Sequence, residues 1–344
     1  MCAIKLDKKM KSSKILRNKY TALFVLAASM FVSCSKEKTF DFNGDSVNRV
    51  YFNIGSYTVK NYNGYAFSIK HTPIGSVGDD IKAAFPAGIT QEAPENVKVS
   101  YAIDNSLIQA YNAEKGTSYV AIPAGILDVS TAELTIPKGR MNSTDSLKIA
   151  VPKEKMSQLT AAGYLVPLKI TSVNGAKNTE VSTNANTVYV VISTKQTNLY
   201  DAPVAADVTG ALNAVRTGWT ATLDATLTSG SLPNMFDAGT NTSWYITPAK
   251  SVNLVVNMNG SITGITAVRF HTSSTNYYLT TANVSTSADG VTWVSQGTAL
   301  FSIINAYQYI KFYAPVTARY IKLEVTGWRA GSARIQFTDF NIYR

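Results

Sequence analysis

Apolar side chains recur at every second position in many short segments of this chain. The pattern is clear from Val97 to Ile103, where Lys98, Ser100 and Ala102 separate the larger apolar residues. Alternation with a period of two over about five to seven residues is typical of β-strands that bury one face. Because no long helical pattern separates these segments, the alternation predicts an all-β chain built of sandwiches. The other segments of this kind are Val50–Ile54, Leu147–Val151, Thr187–Ser193, Leu254–Met258, Val268–Phe270, Val291–Val294 and Ile321–Val325.

The length of the chain and a break in the alternation predict two domains. A chain of 344 residues is too long for one ordinary domain, and each half is long enough to bury its own core. The alternation is lost between Thr194 and Ala206, a segment that contains Pro203. We therefore predict an immunoglobulin-like β-sandwich over residues 47–195, a linker over 196–206 and a second β-sandwich over 207–344.

Two helices and one tight turn are expected between the strands. A helix is predicted within Asn105–Lys115, where an N-capping residue precedes Leu107 and Tyr111 at helical spacing. A second helix is predicted within Lys153–Ala162, because Gly163 follows it. The pair Asp289–Gly290 tolerates positive φ and predicts a tight hairpin turn.

The first 34 residues have the form of a bacterial lipoprotein signal. Residues 1–33 contain seven lysines or arginines and one aspartate, so without them the formal net charge of +10 falls to about +4. The apolar run Tyr20–Val32 is shorter than the roughly 20 residues that span a bilayer, and it suits a signal-peptide core. The residues Phe31–Cys34 resemble the lipobox, which implies cleavage before Cys34 and lipidation of Cys34. The alternative is an ordinary signal peptide in which Cys34 has no role.

These features predict a location on a membrane surface. We expect a signal peptide over residues 1–33, a polar tether over 34–46, and a lipid anchor that holds the protein on the outer membrane, facing the cell exterior. Because the basic residues are concentrated in the signal and no later stretch interleaves them with aromatic residues, nucleic acid is not expected as a partner.

The composition excludes several classes of protein. With 45% hydrophobic and 16% charged residues, the chain is not intrinsically disordered. Two cysteines exclude a disulfide scaffold, and with two histidines they leave little room for a zinc site. The sequence contains no Gly-x-Ser-x-Gly elbow, phosphate-binding loop or His-Glu-x-x-His motif.

The second half contains four ordered motifs of a known family. They are Asp237–Trp244 (DAGTNTSW), Ser287–Trp293 (SADGVTW), Ala318–Val325 (ARYIKLEV) and Asp339–Tyr343 (DFNIY). Together they resemble the discoidin domain, also called the coagulation factor five/eight type C domain, which includes the family thirty-two carbohydrate-binding modules. The resemblance implies a galactose-binding-like jelly roll.

One stretch of the first half also resembles a family. The segment Leu107–Pro123 (LIQAYNAEKGTSYVAIP) is similar to the uncharacterised N-terminal sandwich domain of Bacteroidota-type surface lipoproteins. Such domains usually occur in glycan-utilisation systems, beside binding modules or hydrolases, which implies other outer-membrane glycan-utilisation proteins as partners.

The discoidin resemblance implies a structural calcium ion. Asp237, Thr242 and Asp339 match positions that often surround calcium in that family, and oxygen ligands suit this ion. Two departures from the pattern are Ala238, where glycine is usual, and Asp339, where glutamate is commoner. The alternative is a turn in which the Asp237 carboxylate caps backbone N–H groups. The resemblance also places Trp244 and Trp293 in the core.

Sugar contacts are expected on loops at one end of the jelly roll. An exposed aromatic ring with a few hydrogen-bond donors can hold a sugar, whose faces are apolar and whose edges are polar. The segment Arg269–Tyr278 follows a strand and carries this chemistry, and two other loops add aromatic and basic residues. The predicted ligand-binding residues are Tyr245, Arg269, His271, Asn276, Tyr277, Tyr278, Trp328 and Arg329.

Three functions follow from these features. The leading hypothesis is a non-catalytic, surface-anchored lipoprotein that binds galactose-type or other host or dietary glycans through the jelly roll. A glycoside hydrolase is the enzyme alternative, which would need two carboxylates about 5–9.5 Å apart in a cleft. The third hypothesis is an adhesin that binds a protein partner.

Overall fold

The described part of the protein is built almost entirely of β-strands. A computed structural model describes residues 47–54, 64–130, 133–302 and 306–344. The predicted signal peptide and the whole predicted tether, with Cys34, therefore lie outside the described residues. Strands dominate throughout, which confirms the all-β prediction. Within the described residues, no helix combines the length and the hydropathy needed to cross a bilayer.

The first half forms a sandwich of two sheets. Its strands are β1 (Asn48–Phe52), β2 (Gly64–Thr72), β3 (Gly75–Gly78), β4 (Lys82–Ile89), β5 (Val97–Ile103), β6 (Val120–Ala121), β7 (Asp128–Val129), β8 (Glu133–Ile136), β9 (Asn142–Ala150), β10 (Gly163–Asn174), β11 (Thr179–Val181) and β12 (Thr187–Gln196). One sheet has the order β11–β1–β4–β9–β7, and the other has the order β3–β2–β12–β10–β5–β8 with β6 beside β10. Most neighbouring strands are antiparallel, whereas β12 and β2 run parallel.

The alternating residues of this half meet between the two sheets. Val97 and Val99 are fully buried on β5, while Lys98 between them is exposed. Phe52 on β1 and Phe85 on β4 pack edge to face, with ring centroids 6.0 Å apart. Burial of each large apolar side chain contributes about 1.5–3 kcal/mol, so this core stabilises the first domain without disulfides.

Only one of the two predicted helices is an α-helix. Helix α1 (Leu107–Lys115) packs Ile108 onto Leu165 and Tyr189, and it ends at Gly116, which adopts a left-handed φ of 64°. The segment predicted as a second helix instead forms a short 3-10 helix, Lys153–Gln158. Met156 and Leu159 are both buried, and their separation of three residues matches the three-residue turn of a 3-10 helix.

The chain between the two sandwiches is held by buried hydrogen bonds. Strand β12 ends at Gln196, and the next four residues pack against the second half. Asn198 donates from Nδ2 to the Gln296 side-chain oxygen and to the Ala314 carbonyl, at 2.9 Å each, and its Oδ1 accepts from the Ala314 N–H at 2.8 Å. Leu199 belongs to the core of the second half. This part of the predicted linker is therefore fixed along the second domain.

The second half is a further β-sandwich. Its strands are β13 (Thr220–Leu223), β14 (Ser229–Gly230), β15 (Trp244–Ile246), β16 (Val252–His271), β17 (Leu279–Ser287), β18 (Val294–Leu300), β19 (Tyr307–Trp328), β20 (Ile335–Phe337) and β21 (Asp339–Tyr343), with short 3-10 helices at Ala205–Asp207, Leu232–Phe236 and Thr275–Tyr277. One sheet has the order β13–β16–β19–β17–β18 with β21 beside β16, and a smaller sheet has the order β14–β15–β20. The second half is therefore a β-sandwich, as predicted for it.

Two long, bent strands shape this domain. Strands β16 and β19 pair along their length, but the register of the pairing shifts three times between Asn257 and Ala267. Such shifts are typical of β-bulges, which bend a strand. In the second half of β16, Val268 and Phe270 are buried in the core. Arg269 and His271 lie on the opposite face of the strand, because successive side chains alternate.

The predicted tight turn at Asp289–Gly290 is a longer loop. Strand β17 ends at Ser287 and β18 begins at Val294, and the Asp289 carboxylate accepts the N–H groups of Val291 and Thr292 at 2.8 Å each. These two hydrogen bonds are the largest causes that lower the pKa of Asp289 to about 2. Val291 was expected in a strand, but it lies in this loop and is 82% exposed. The Asp289 carboxylate accepts the backbone N–H groups that would otherwise pair with a neighbouring strand.

Candidate functional site

One strand and two loops of the second domain bring two tyrosines and an arginine together. The guanidinium carbon of Arg334 lies 4.3 Å from the ring centroid of Tyr245 and 4.6 Å from that of Tyr277. Tyr245 is on β15, Tyr277 ends the 3-10 helix before β17, and Arg334 precedes β20. We refer to Tyr245, Tyr277 and Arg334 as the tyrosine–arginine tip.

The pairing of β15 with β20 positions two members of the tip. Tyr245 pairs with Gln336, which places Arg334 near the tyrosine ring. Trp244 and Ile246 on either side of Tyr245 are buried, so the Tyr245 side chain lies on the other face of the strand and stays partly exposed. The tip is thus carried by a paired strand whose neighbouring residues are anchored in the core.

Hydrogen bonds beneath the tip fix the loop that carries Tyr277. The buried amide of Gln336 accepts from the Ser273 hydroxyl at 2.6 Å and donates to the Ser243 hydroxyl at 3.1 Å. Arg329 donates from Nη1 to the Thr275 carbonyl at 3.0 Å, and its backbone N–H donates to the Tyr278 carbonyl at 2.9 Å. Arg329 thus binds the backbone on both sides of Tyr277, at Thr275 and at Tyr278, and this fixes the position of the tyrosine.

The structure brings four of the predicted sugar contacts to this end of the domain. Tyr245 and Tyr277 are partly exposed, and Asn276 and Arg329 are exposed in the adjoining loops. Trp328 is half-buried and packs against the core, so only part of its ring is accessible. The loops thus combine aromatic surface with amide and guanidinium donors.

Tyr278 is placed differently from the expectation, and Arg334 was not expected at all. The Tyr278 side chain is only 1% exposed, because the 3-10 helix ends at Tyr277 and the next residue turns into the domain. Its ring therefore cannot contact a sugar at the surface. Arg334 could not be predicted as a site residue, because it comes close to Tyr245 only through the pairing of β15 with β20. In the sequence, its one signal is its place in the segment that also contains Trp328 and Arg329.

Arg269 and His271 are held in a second cluster around Asp339. The guanidinium of Arg269 donates from Nη2 to Asp339 Oδ2 at 2.9 Å and lies 4.4 Å from the ring centroid of Tyr307. His271 hydrogen-bonds through Nδ1 to the Thr338 hydroxyl, and its ring lies 4.5 Å from that of Tyr307. The side chains of both predicted sugar contacts are thus engaged with protein partners.

Arg216 completes this cluster. Its Nη1 donates to Asp339 Oδ1 at 2.5 Å, to the Phe340 carbonyl at 2.9 Å and to the Met235 carbonyl at 3.4 Å. The side chains of Arg216 and Asp339 are 8% and 3% exposed. We refer to Arg216, Arg269, His271, Tyr307 and Asp339 as the Asp339 cluster.

The described residues do not fit the calcium site that the family resemblance implies. Each oxygen of Asp339 already binds a guanidinium, so a divalent cation there would lie beside two fixed positive charges. In the described part of the chain, no three His, Cys, Asp or Glu side chains are arranged to hold a metal. At Asp339, the guanidinium groups of Arg216 and Arg269 already supply the positive charge that a calcium ion would bring.

Asp237 instead stabilises its own turn. Its carboxylate accepts the Thr242 hydroxyl and, at 2.8 Å, the backbone N–H of Gly239. The hydrogen bond from Thr242 is the largest cause that lowers the pKa of Asp237. This is the capping arrangement that the sequence left open as the alternative to calcium.

The surroundings of His271 predict that the stability of the second domain depends on pH. Burial is the largest cause that lowers its pKa below the usual 6.5; the nearby charge of Asp339 opposes this shift, and that of Arg269 adds to it. The unfolded state therefore binds a proton more readily than the folded state, so stability should fall as the pH drops below about 6.5. Replacing His271 with glutamine should reduce this loss.

Tryptophan fluorescence can measure this pH dependence of stability. Trp219, Trp244, Trp293 and Trp328 all lie in the second half, so their fluorescence reports its unfolding. We expect the urea midpoint of the native chain to fall between about pH 7.5 and about pH 5.5, and to fall less in His271→Gln. Equal losses in the two proteins would assign the pH dependence to other groups.

Two separate family models match different parts of this chain. Residues 43–177 match a family model described as an N-terminal domain, and residues 212–337 match the model of the F5/8 type C domain. The second half thus contains an F5/8 type C (discoidin) domain, and the resemblance predicted from its four motifs is confirmed. No curated protein matches the chain.

Several solved structures are similar to this chain at low sequence identity. A two-domain protein of unknown function from Bacteroides fragilis covers 87% of this chain and 95% of its own, with a TM-score of 0.51 and 15% identity. A family 32 carbohydrate-binding module from Clostridium perfringens, in complex with galactose, covers 38% of this chain and 96% of its own, with a TM-score of 0.32 and 22% identity. A chitosan-binding module from Paenibacillus covers 38% and 97%, with a TM-score of 0.32 and 20% identity.

Proposed function

We propose that this chain is a non-catalytic, lipid-anchored lipoprotein of the outer membrane that binds glycans through the tyrosine–arginine tip. The observation that carries the proposal is the convergence of Tyr245, Tyr277 and Arg334 from three separate segments of an F5/8 type C domain. Aromatic rings suit the apolar faces of a sugar, and guanidinium N–H groups suit its oxygens. The loops beneath are anchored, so little ordering would be needed on binding.

The anchor and the location extend this proposal. The lipobox-like sequence before Cys34 supports a lipid anchor, and the surface-lipoprotein resemblance of the first half supports a place in a polysaccharide- or host-glycan-utilisation system. A single saccharide site is weak, since millimolar affinity corresponds to only about −4 kcal/mol. Many copies anchored on one membrane would raise the effective concentration and strengthen the attachment.

The test is saccharide binding by the full chain and by a Tyr277→Ala variant. We expect binding of at least one glycan on an array that includes galactose-type sugars, and a loss of about tenfold or more in affinity when the Tyr277 ring is removed. Tyr320→Ala is the matched control, since this half-buried tyrosine pairs with Ser287 at the opposite end of β17 from the tip. Equal losses in both variants, or no saccharide binding at all, would contradict the proposal.

Two further assays would distinguish the other candidate functions from glycan binding. Turnover of a reducing-end-labelled glycan, abolished by replacing one Asp or Glu, would indicate a glycoside hydrolase. Equal binding to native and deglycosylated host proteins would indicate an adhesin for a protein partner. Either result, with no effect of Tyr277→Ala, would replace glycan binding at the tip as the function.

A further inference from the structure

We infer that the tip selects an acidic saccharide, whose carboxylate is bound by the guanidinium of Arg334. The inference rests on the proposed function and adds the chemical class of the ligand. It depends on three features of the described residues: the hydrogen-bond donors of Arg334, the charge of the three loops, and the contrast with the other arginines of the domain.

Arg334 offers hydrogen-bond donors that none of the described residues uses. Its guanidinium lies over the rings of Tyr245 and Tyr277, and among the described residues no side chain or carbonyl accepts a hydrogen bond from it. Aromatic rings cover the face of a guanidinium but leave the N–H groups at its edge. A planar edge with parallel N–H donors matches a carboxylate, which it can bind through two hydrogen bonds.

The loops around Arg334 carry positive charge without compensation. The segments 241–249, 272–279 and 327–337 together contain Arg329 and Arg334 but no aspartate or glutamate. Arg329 uses its Nη1 for the Thr275 carbonyl, which holds a second cation at this end of the domain. The two cations on these acid-free segments favour an anionic ligand over a neutral one.

The other arginines of this domain that are at least partly buried have partners of their own. Arg216 and Arg269 share the carboxylate of Asp339, and Arg319 donates to the Asn257 side chain at 3.0 Å while lying 5.0 Å from the ring centroid of Tyr320. Arg334 lies over two tyrosine rings where Arg319 lies over one, but it has no acceptor in the described part of the chain. A ligand carboxylate would supply the missing acceptor.

The aromatic faces also favour an acid over a neutral sugar. Stacking of a neutral sugar needs an open ring face, and the Arg334 guanidinium covers one face of each tip tyrosine. Sugar stacking is therefore limited to the ring surface that the guanidinium leaves open, and an acidic ligand gains an additional charged hydrogen bond at the arginine edge. Discrimination should come from the charge of the ligand rather than from its ring.

The test compares two ligands that differ in charge but hardly in shape. Digalacturonate and its dimethyl ester are titrated into the full chain by calorimetry, and digalacturonate should bind at least about tenfold more tightly. Its affinity should fall when NaCl is raised from about 50 to about 500 mM, whereas that of the ester should change little. A galactose 6-sulfate oligosaccharide is a third ligand that separates carboxylate from sulfate recognition.

Two arginine variants locate the effect. Arg334→Met keeps an unbranched apolar stem and should lose about tenfold or more in affinity for digalacturonate, with little change for the ester. Arg319→Met is the matched control, since it also removes an arginine stacked on a tyrosine, and it should leave both affinities unchanged. Arg334→Lys keeps the charge without the planar edge and should give an intermediate loss. Tryptophan fluorescence checks that each variant is folded.

Each outcome supports or overturns the inference. Equal affinity for the acid and the ester would overturn acidic selectivity while leaving glycan binding intact. Tighter binding of the sulfated sugar would overturn the carboxylate assignment. Equal losses in Arg334→Met and Arg319→Met would remove Arg334 from recognition, and no binding of any saccharide would overturn the proposed function together with this inference.

Discussion

Replacing Asp339 with asparagine should lower the free energy of unfolding of the second domain by about 3–5 kcal/mol. The asparagine has nearly the same shape, so packing is kept and only the negative charge is lost. Arg216 and Arg269, whose side chains are 8% and 18% exposed, would then lack their anion in a region with little water. Removing one partner of a buried ion pair is strongly destabilising because the other charge stays buried. Urea unfolding followed by tryptophan fluorescence measures the effect.

The matched control and a chelator separate this network from a metal site. Asp237→Asn changes an exposed aspartate of the same predicted site, and it should cost far less than Asp339→Asn. Adding EDTA or calcium to the native chain should leave its unfolding midpoint unchanged, since guanidinium groups supply the positive charge. A midpoint lowered by EDTA and restored by calcium would show that the ion is bound after all.

The strand pattern predicted the fold because side-chain alternation is a local property. Val268 and Phe270 face the core as their period of two indicates, and Arg269 and His271 lie on the other face. What covers that other face could not be predicted. The residues that bind Arg269 there, above all Asp339, come from a strand far along the chain, and the pairing of β16 with β21 decides the contact.

The candidate site was predicted in part for the same reason. Tyr245 and Tyr277 are found as sequence features, since aromatic residues in polar loops stand out. Arg334 acquires its role only when β20 pairs with β15, and Tyr278 differs from Tyr277 only because a short 3-10 helix ends between them. The conformation of a loop therefore determines which of its aromatic residues is accessible to a ligand. The amino-acid composition of the loop does not predict that conformation.

The two tryptophans of the family motifs show how far a motif predicts burial. Both Trp244 and Trp293 were expected in the core. Trp244 is fully buried, stacks on Phe337 with ring centroids 5.1 Å apart, and donates from Nε1 to the Met235 sulfur at 3.2 Å. Trp293 is only half-buried beside the Asp289 loop, where the Lys322 ammonium lies 4.6 Å from its ring centroid. The expectation for Trp293 was wrong, because the loop carries it out of the sandwich.

This difference predicts unequal costs for the same substitution. Trp244→Ala should lower the free energy of unfolding of the second domain by about 3–5 kcal/mol, since a large buried ring leaves a cavity that the strands cannot close. Trp293→Ala should cost about 1 kcal/mol, because it removes a half-exposed ring and one cation–π contact. Urea unfolding with the three remaining tryptophans as probes measures both values. A loss for Trp293→Ala as large as that for Trp244→Ala would show that Trp293 belongs to the core and that its loop is packed more tightly than its exposure indicates.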